Sequence, residues 1–199
     1  MRTAIVARLT VPALGGALAI ALIGALAPIP LASAHTYTYP SPADRTVRVP
    51  RAIAGVRIGQ RLEDARRAWG PGRGHCEVKP EGFAVCTYGN DREEGRGVAY
   101  FAADGSRPGS RVYLATIAVG LRLGVVPVYK GPLMSLRTPK GVGLGSKVAR
   151  LRRAYPRVRA DSLGFHLRRH RVEIDFETFN SLDDHTITTI SIERIGAFG

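Results

Sequence analysis

Two short segments of the chain carry apolar residues at the spacing of an amphipathic helix. In the first segment, Leu62, Ala65 and Trp69 stand at positions i, i+3 and i+7. The second segment repeats that spacing with Val148, Leu151 and Tyr155. The pattern predicts one short helix in each segment, with Ser146 as the N-cap of the second helix.

Apolar and polar residues alternate with a period of two after each predicted helix. Such alternation predicts antiparallel strands that bury one face. In the first half of the chain the predicted strands are residues 82–88, 96–102 and 111–119. In the second half they are residues 162–168, 171–179 and 185–194.

The two halves also repeat each other in sequence. Residues 55–69 and 141–155 share two glycines, a valine and an Arg-Arg-Ala triplet at equivalent positions. We therefore predict an α+β fold of two tandem units, each a short helical segment followed by a three- to four-stranded antiparallel meander. The first unit is residues 51–130, with the cysteine loop, and the second is residues 131–199. Residues 35–50, rich in Thr, Tyr, Pro and Ser, are predicted to form an extended arm or linker.

Residues 1–34 have the pattern of a cleavable export signal. Two early arginines precede an apolar stretch from residue 11 to residue 31, which ends in Ala32-Ser33-Ala34, a small-x-small cleavage pattern. The alternative is a retained membrane anchor, but interior glycines and prolines disfavour a stable spanning helix. No cysteine lies at the cleavage point, so a lipoprotein is not predicted. We expect a secreted or extracytoplasmic protein with no membrane span after cleavage.

The chain is strongly basic. It has 29 Lys and Arg against 16 Asp and Glu, and loss of the two signal arginines lowers the formal charge from +13 to +11. This charge favours an extracellular protein or an anionic cell-wall polymer as partner, and no specific nucleic acid is predicted. The candidate anion-binding residues are the arginines of the two helices: Arg66, Arg67, Arg150, Arg152 and Arg153. The alternative is that these residues form ordinary solvated helix faces.

The chain contains two cysteines, Cys76 and Cys86. In an oxidising compartment a close pair of this kind predicts a disulfide. A metal site is the alternative, but only His75 lies nearby as a further ligand.

The best candidate for chemistry is His166 with Glu173 and Asp175. If Arg169-His170 form a two-residue turn, His166 stands opposite Glu173, and a histidine beside a carboxylate can act in acid–base catalysis or bind a metal. The alternative is an ordinary cross-strand pair of charges on a solvated sheet face. No Gly-x-Ser-x-Gly motif is present. We therefore predict no catalytic residue, no metal and no cofactor, and do not expect an enzyme.

The Gly-x-x-Gly entry, the short helix, the Gly-Pro stop and the following meander resemble the β-lactamase-inhibitor-protein-like fold. They are also similar to the small outer-membrane lipoprotein of the barrel-assembly machinery. The resemblance covers about residues 51–195 and is architectural. It implies two such units in tandem, with a disulfide just after the first helix, and a protein that acts by binding.

These features together predict a secreted, non-enzymatic binding module of unknown partner. One alternative is an inhibitor of a secreted enzyme such as a β-lactamase. A second alternative is a secreted hydrolase or metalloenzyme that uses His166 with Glu173 and Asp175.

Overall fold

The computed structural model describes residues 38–89, 97–122, 126–161, 164–179 and 185–196. The predicted export signal, residues 1–34, lies outside these ranges. Within these ranges 44% of the residues are in strands or bridges and 13% are in helices, so the described part of the chain is mostly β.

Two short α-helices, a 3₁₀ helix and thirteen strands make up the described part of the chain. The helices are α1 (Leu62–Trp69), the 3₁₀ helix Pro132–Ser135 and α2 (Val148–Ala154). The strands of the first half are β1 (Val47–Arg48), β2 (Ala52–Ile53), β3 (Val56–Arg57), β4 (His75–Val78), β5 (Ala84–Tyr88), β6 (Val98–Ala103) and β7 (Val112–Ala118). Those of the second half are β8 (Gly120–Arg122), β9 (Val126–Val128), β10 (Arg159–Ala160), β11 (Phe165–Arg169), β12 (Val172–Thr178) and β13 (Ile187–Arg194).

Eight of the strands form one continuous antiparallel sheet. Their order is β10-β11-β12-β13-β7-β6-β5-β4, so the last strand of each half, β13 and β7, are neighbours at the centre. Strands β1 to β3 form a separate small sheet, and β8 pairs with β9. The prediction of an α+β fold of two tandem helix-plus-meander units is therefore wrong. Local periodicity identifies individual strands, but it carries no information on which strands of the two halves pair.

A single hydrophobic core lies on one side of this sheet. The sheet contributes a row of buried residues that are in register across five strands: Cys86, Phe101, Ala115, Ile192 and Ile174. Both α-helices, the 3₁₀ helix and the small sheet contribute to the same cluster, which places them together on this side.

Trp69, at the end of α1, is fully buried in this core. Its indole ring meets the rings of Tyr88 and Phe101 edge-on, each at 5.3 Å between centroids. Its Nε1–H donates to the carbonyl oxygens of Ile53 and Ala54 at 3.3 and 3.1 Å. The tryptophan thereby links α1 both to the large sheet and to the small one.

Both predicted helices are present, and each follows a glycine with positive φ, Gly59 at 83° and Gly145 at 77°. Left-handed backbone of this kind is accessible to glycine at little steric cost. The N-cap prediction is wrong. Lys147 occupies that position, and Ser146 Oγ instead accepts a hydrogen bond from the Gly143 amide at 3.0 Å.

Candidate binding surface

The large sheet has a second face, opposite the core. Side chains alternate across a strand, so Asp175 and Ser191 point away from the side that buries Ile174 and Ile192. None of the residues on this second face belongs to the core cluster. We call this side of the eight-stranded sheet the open face.

A row of polar residues crosses the open face in register, with one residue from every strand. The row runs through Arg159, His166, Asp175, Ser191, Thr116, Tyr100, Thr87 and His75. We call these eight residues the polar row. At its centre, Thr116 Oγ1 donates a hydrogen bond to Ser191 Oγ at 3.0 Å, across the junction of the two halves.

The half of the open face built from β5, β6 and β7 is uncharged. Beside the polar row, Val85, Ala102 and Leu114 stand in register. The rings of Phe83 and Tyr113 contact each other edge-on at 6.3 Å, and neither ring belongs to the core cluster. Burial is the main cause that raises the pKa of Tyr113, with a smaller contribution from Asp104. Ala102 and Tyr113 are 2% and 6% exposed, so the apolar side chains that this half leaves partly exposed are Val85, Leu114 and Phe83.

The half built from β12 and β13 carries four carboxylates. Glu173 stands directly opposite Glu193, and Asp175 and Glu177 follow on the same face of β12. Burial raises the pKa of Asp175 to about 6, and repulsion from Glu173, Glu193 and Glu177 adds to this effect while His166 opposes it. The pKa of Glu193 is also raised, first by burial and then by Glu173. Strands β12 and β13 thus concentrate negative charge on the open face, beside Arg159 and Arg168 on β10 and β11.

The predicted register of His166 is wrong. The turn between β11 and β12 is His170-Arg171, so His166 stands opposite Asp175, and Arg168 stands opposite Glu173. His166 Nδ1 also lies 3.4 Å from Asp161 Oδ2. The structure therefore brings His166 next to one of its two predicted carboxylate partners. Within the described ranges, no group of three or more His, Cys, Asp or Glu is placed to hold a metal ion.

The five arginines predicted to bind anions are all exposed on the helices. Arg67 makes an ion pair with Asp64 at 3.0 Å, and the Arg152 guanidinium lies 5.2 Å from the centre of the Phe165 ring. These contacts are ordinary for solvated helix faces. The anion-binding role of the five residues stays a prediction.

The predicted disulfide is present. Cys76 and Cys86 are register partners on β4 and β5, with their Cα atoms 4.0 Å apart. The bond fastens the edge strand β4 to the rest of the sheet. A disulfide is consistent with an extracytoplasmic protein, because thiols are kept reduced in the cytosol.

Sequence reasoning missed the polar row. It identified the polar positions of β12 through their alternation with Val172, Ile174 and Phe176, but a row across eight strands depends on the pairing of β7 with β13. Among the helices of the described residues, none is long and apolar enough to cross a membrane.

Comparison with protein-family models, with curated proteins and with solved structures found no match to this chain.

Proposed function

We propose that this protein is an extracytoplasmic binding protein, not an enzyme, and that it docks a partner protein on the open face of its sheet. The observation that carries the proposal is the polar row, which crosses eight strands on the side of the sheet away from the core.

The size of the open face suits a protein partner. At about 3.3 Å per residue along a strand and about 4.8 Å between strands, the eight strands cover roughly 700 Å² of sheet. A stable interface of standard size buries about 800 Å² on each partner. The open face with its bordering loops therefore has the area that one such interface requires.

Its side chains also suit binding. Thr87 and Ser191 are short and half-buried, so little side-chain entropy is lost when a partner covers them. Tyr100 is half-buried on the same row, and tyrosine is among the residues that contribute most to binding energy at interfaces. The centre of the open face can therefore pack closely against another protein.

The charge of the open face indicates the chemistry of the partner. The carboxylates of Glu173, Asp175, Glu177 and Glu193 occupy one half of the open face, whereas the other half is uncharged on β5, β6 and β7 and carries Glu77 on its edge strand β4, opposite Val85. A complementary partner presents Lys or Arg to the first half and apolar side chains to the second. Charge complementarity of this kind fixes the orientation of a complex and speeds its formation.

Binding is tested with the chain lacking residues 1–34, immobilised and exposed to proteins of the culture supernatant. Glu193→Lys changes the open face, and Glu63→Lys makes the same charge change at an exposed carboxylate of α1. We expect one protein to be retained at moderate salt, to crosslink to the open face, and to be lost from Glu193→Lys but not from Glu63→Lys. Crosslinks confined to the helical side, or equal loss from both variants, would contradict the proposal.

The extracytoplasmic location rests on the signal pattern and the disulfide. We propose cleavage after Ala34, which makes His35 the first residue of the mature protein. N-terminal sequencing of the protein from the culture medium measures this directly. Recovery of the chain only in the cytosol, with residues 1–34 attached, would contradict it.

A further inference from the structure

A basic cleft lies at the β10 edge of the sheet. It has a volume of about 560 Å³. The segment after α2 contributes Arg157 and Arg159, and β11 with its turn contributes Arg168 and His170. Glu173 is the one carboxylate among its described lining residues.

A second cleft adjoins the first. Its volume is about 640 Å³, and it shares Arg157, Leu167 and Arg168 with the first cleft. Lys140 and Arg169 add two further positive charges. Its apolar wall consists of Val49, Pro50, Tyr155, Pro156 and the shared Leu167. The two clefts thus form neighbouring chambers with arginines at their common boundary.

The arginines of the clefts form no ion pair among the described residues, although Arg168 stands opposite Glu173. Within that part of the chain, the ion pairs use Arg48, Arg61, Arg67, Lys79 and His166. Arg157, Arg159, Arg168 and Arg169 are not among them, and all four are exposed. Their guanidinium groups are therefore available to a ligand.

The strained backbone of His170 is a second feature of the first cleft. Its φ is 58°, in the left-handed region that costs a non-glycine residue free energy. A glycine or asparagine would relieve this cost at a two-residue hairpin turn. The turn instead places an imidazole, a hydrogen-bond donor, in the lining of the first cleft.

We propose that the two clefts bind a chain of linked phosphate groups. Arginine donates paired, charge-assisted hydrogen bonds to phosphate oxygens. Each cleft is in the size range of a small-molecule site, larger than one phosphate needs. Arg157 and Arg168 line both clefts, so successive phosphates of one chain can occupy the two chambers while sharing these arginines.

The test measures binding of a short linear polyphosphate and of inorganic phosphate by titration calorimetry at about 0.15 M salt, where distant surface charges are screened. Arg159→Gln/Arg168→Gln removes two charges from the clefts. Arg107→Gln/Arg122→Gln removes two exposed arginines that line neither cleft and is the matched control. Thermal unfolding checks that both variants fold.

We expect polyphosphate to bind more tightly than inorganic phosphate. Loss of two charge-assisted contacts weakens binding by about 10-fold or more in the cleft variant, whereas the control variant stays within about 2-fold of wild type. Absence of polyphosphate binding would overturn the proposal. Equal weakening in both variants would assign binding to net charge alone, and equal affinity for the two probes would rule out a chain across both clefts. The first cleft shares Arg159, His166 and Glu173 with the open face, but the titration with polyphosphate needs no protein partner.

Discussion

Thr116 donates a hydrogen bond to Ser191 at 3.0 Å, and this contact joins two strands that lie 75 residues apart in sequence. Thr116 is only 2% exposed although it belongs to the open face. The pair therefore ties the two halves of the chain together at the centre of one sheet.

The hydrogen bond between these residues contributes to stability. We expect Thr116→Val to lower the free energy of unfolding by about 1 kcal/mol, the usual net value of one such bond. The double variant with Ser191→Ala should lose less than the sum of the two single variants, because both remove the same contact. Urea denaturation of all three proteins measures this.

Thr87→Val is the matched control, since Thr87 lies on the same row. Thr87 makes no side-chain hydrogen bond within the described residues, so Thr87→Val should change the free energy of unfolding by no more than about 0.5 kcal/mol. Additive losses for Thr116 and Ser191 would show that the contact does not form.

The disulfide is predicted to stabilise the fold. Cys76 and Cys86 are separated by 10 positions. A crosslink that closes a loop of this size lowers the entropy of the unfolded chain and so stabilises the folded protein by about 3 kcal/mol. Cys76→Ser/Cys86→Ser should lose about this amount in guanidinium denaturation. A reducing agent should destabilise the wild type and leave the variant unchanged. Equal stability of the wild type with and without reductant would refute the prediction.

Asp175 is predicted to make stability fall as the pH rises. Its pKa is raised from 3.8 to about 6, so the folded protein binds this proton more tightly than the unfolded chain does. The free energy of unfolding therefore decreases between about pH 4 and about pH 6. The groups that surround the carboxyl are Glu173 and Glu177 on β12, Glu193 on β13 and His166 on β11.

Asp175→Asn removes the ionised form of this group. At pH 7.5 we expect the free energy of unfolding of this variant to be about 1 kcal/mol larger than that of the wild type, after allowance for solvent screening. Below pH 4 the two proteins should be equally stable. Glu177→Gln, at an exposed position of the same strand, is the control and should have a smaller effect. Stabilisation by Asp175→Asn that is the same at both pH values would argue against ionisation as the cause.

Local patterns in the sequence were sufficient to find single elements and the disulfide. The helices α1 and α2 follow from apolar residues at helical spacing, and β12 follows from strict alternation. The two-residue strands β1, β2 and β3 are too short to show a period, so a share of the β structure had no signal. The pairing of β13 with β7 also left no signal in the sequence, and the predicted fold class was wrong for that reason.

The error at His166 has a related cause. The predicted and observed registers of β11 against β12 differ by two residues, and a shift of two returns every side chain to the same face. Leu167 therefore packs among apolar residues in either register. Alternation identified the correct face but could not distinguish Glu173 from Asp175 as the residue opposite His166.

The central claim is that a partner binds on the open face, and the affinity of the captured partner for Tyr100→Ala tests it most directly. Tyr100 is half-buried in the polar row and makes no hydrogen bond through its side chain within the described residues, so the variant should fold. We predict a Kd at least about 10-fold weaker than wild type, as for an interface tyrosine that contributes 1.4 kcal/mol or more. An unchanged Kd for Tyr100→Ala, with the fold intact by circular dichroism, would contradict the account.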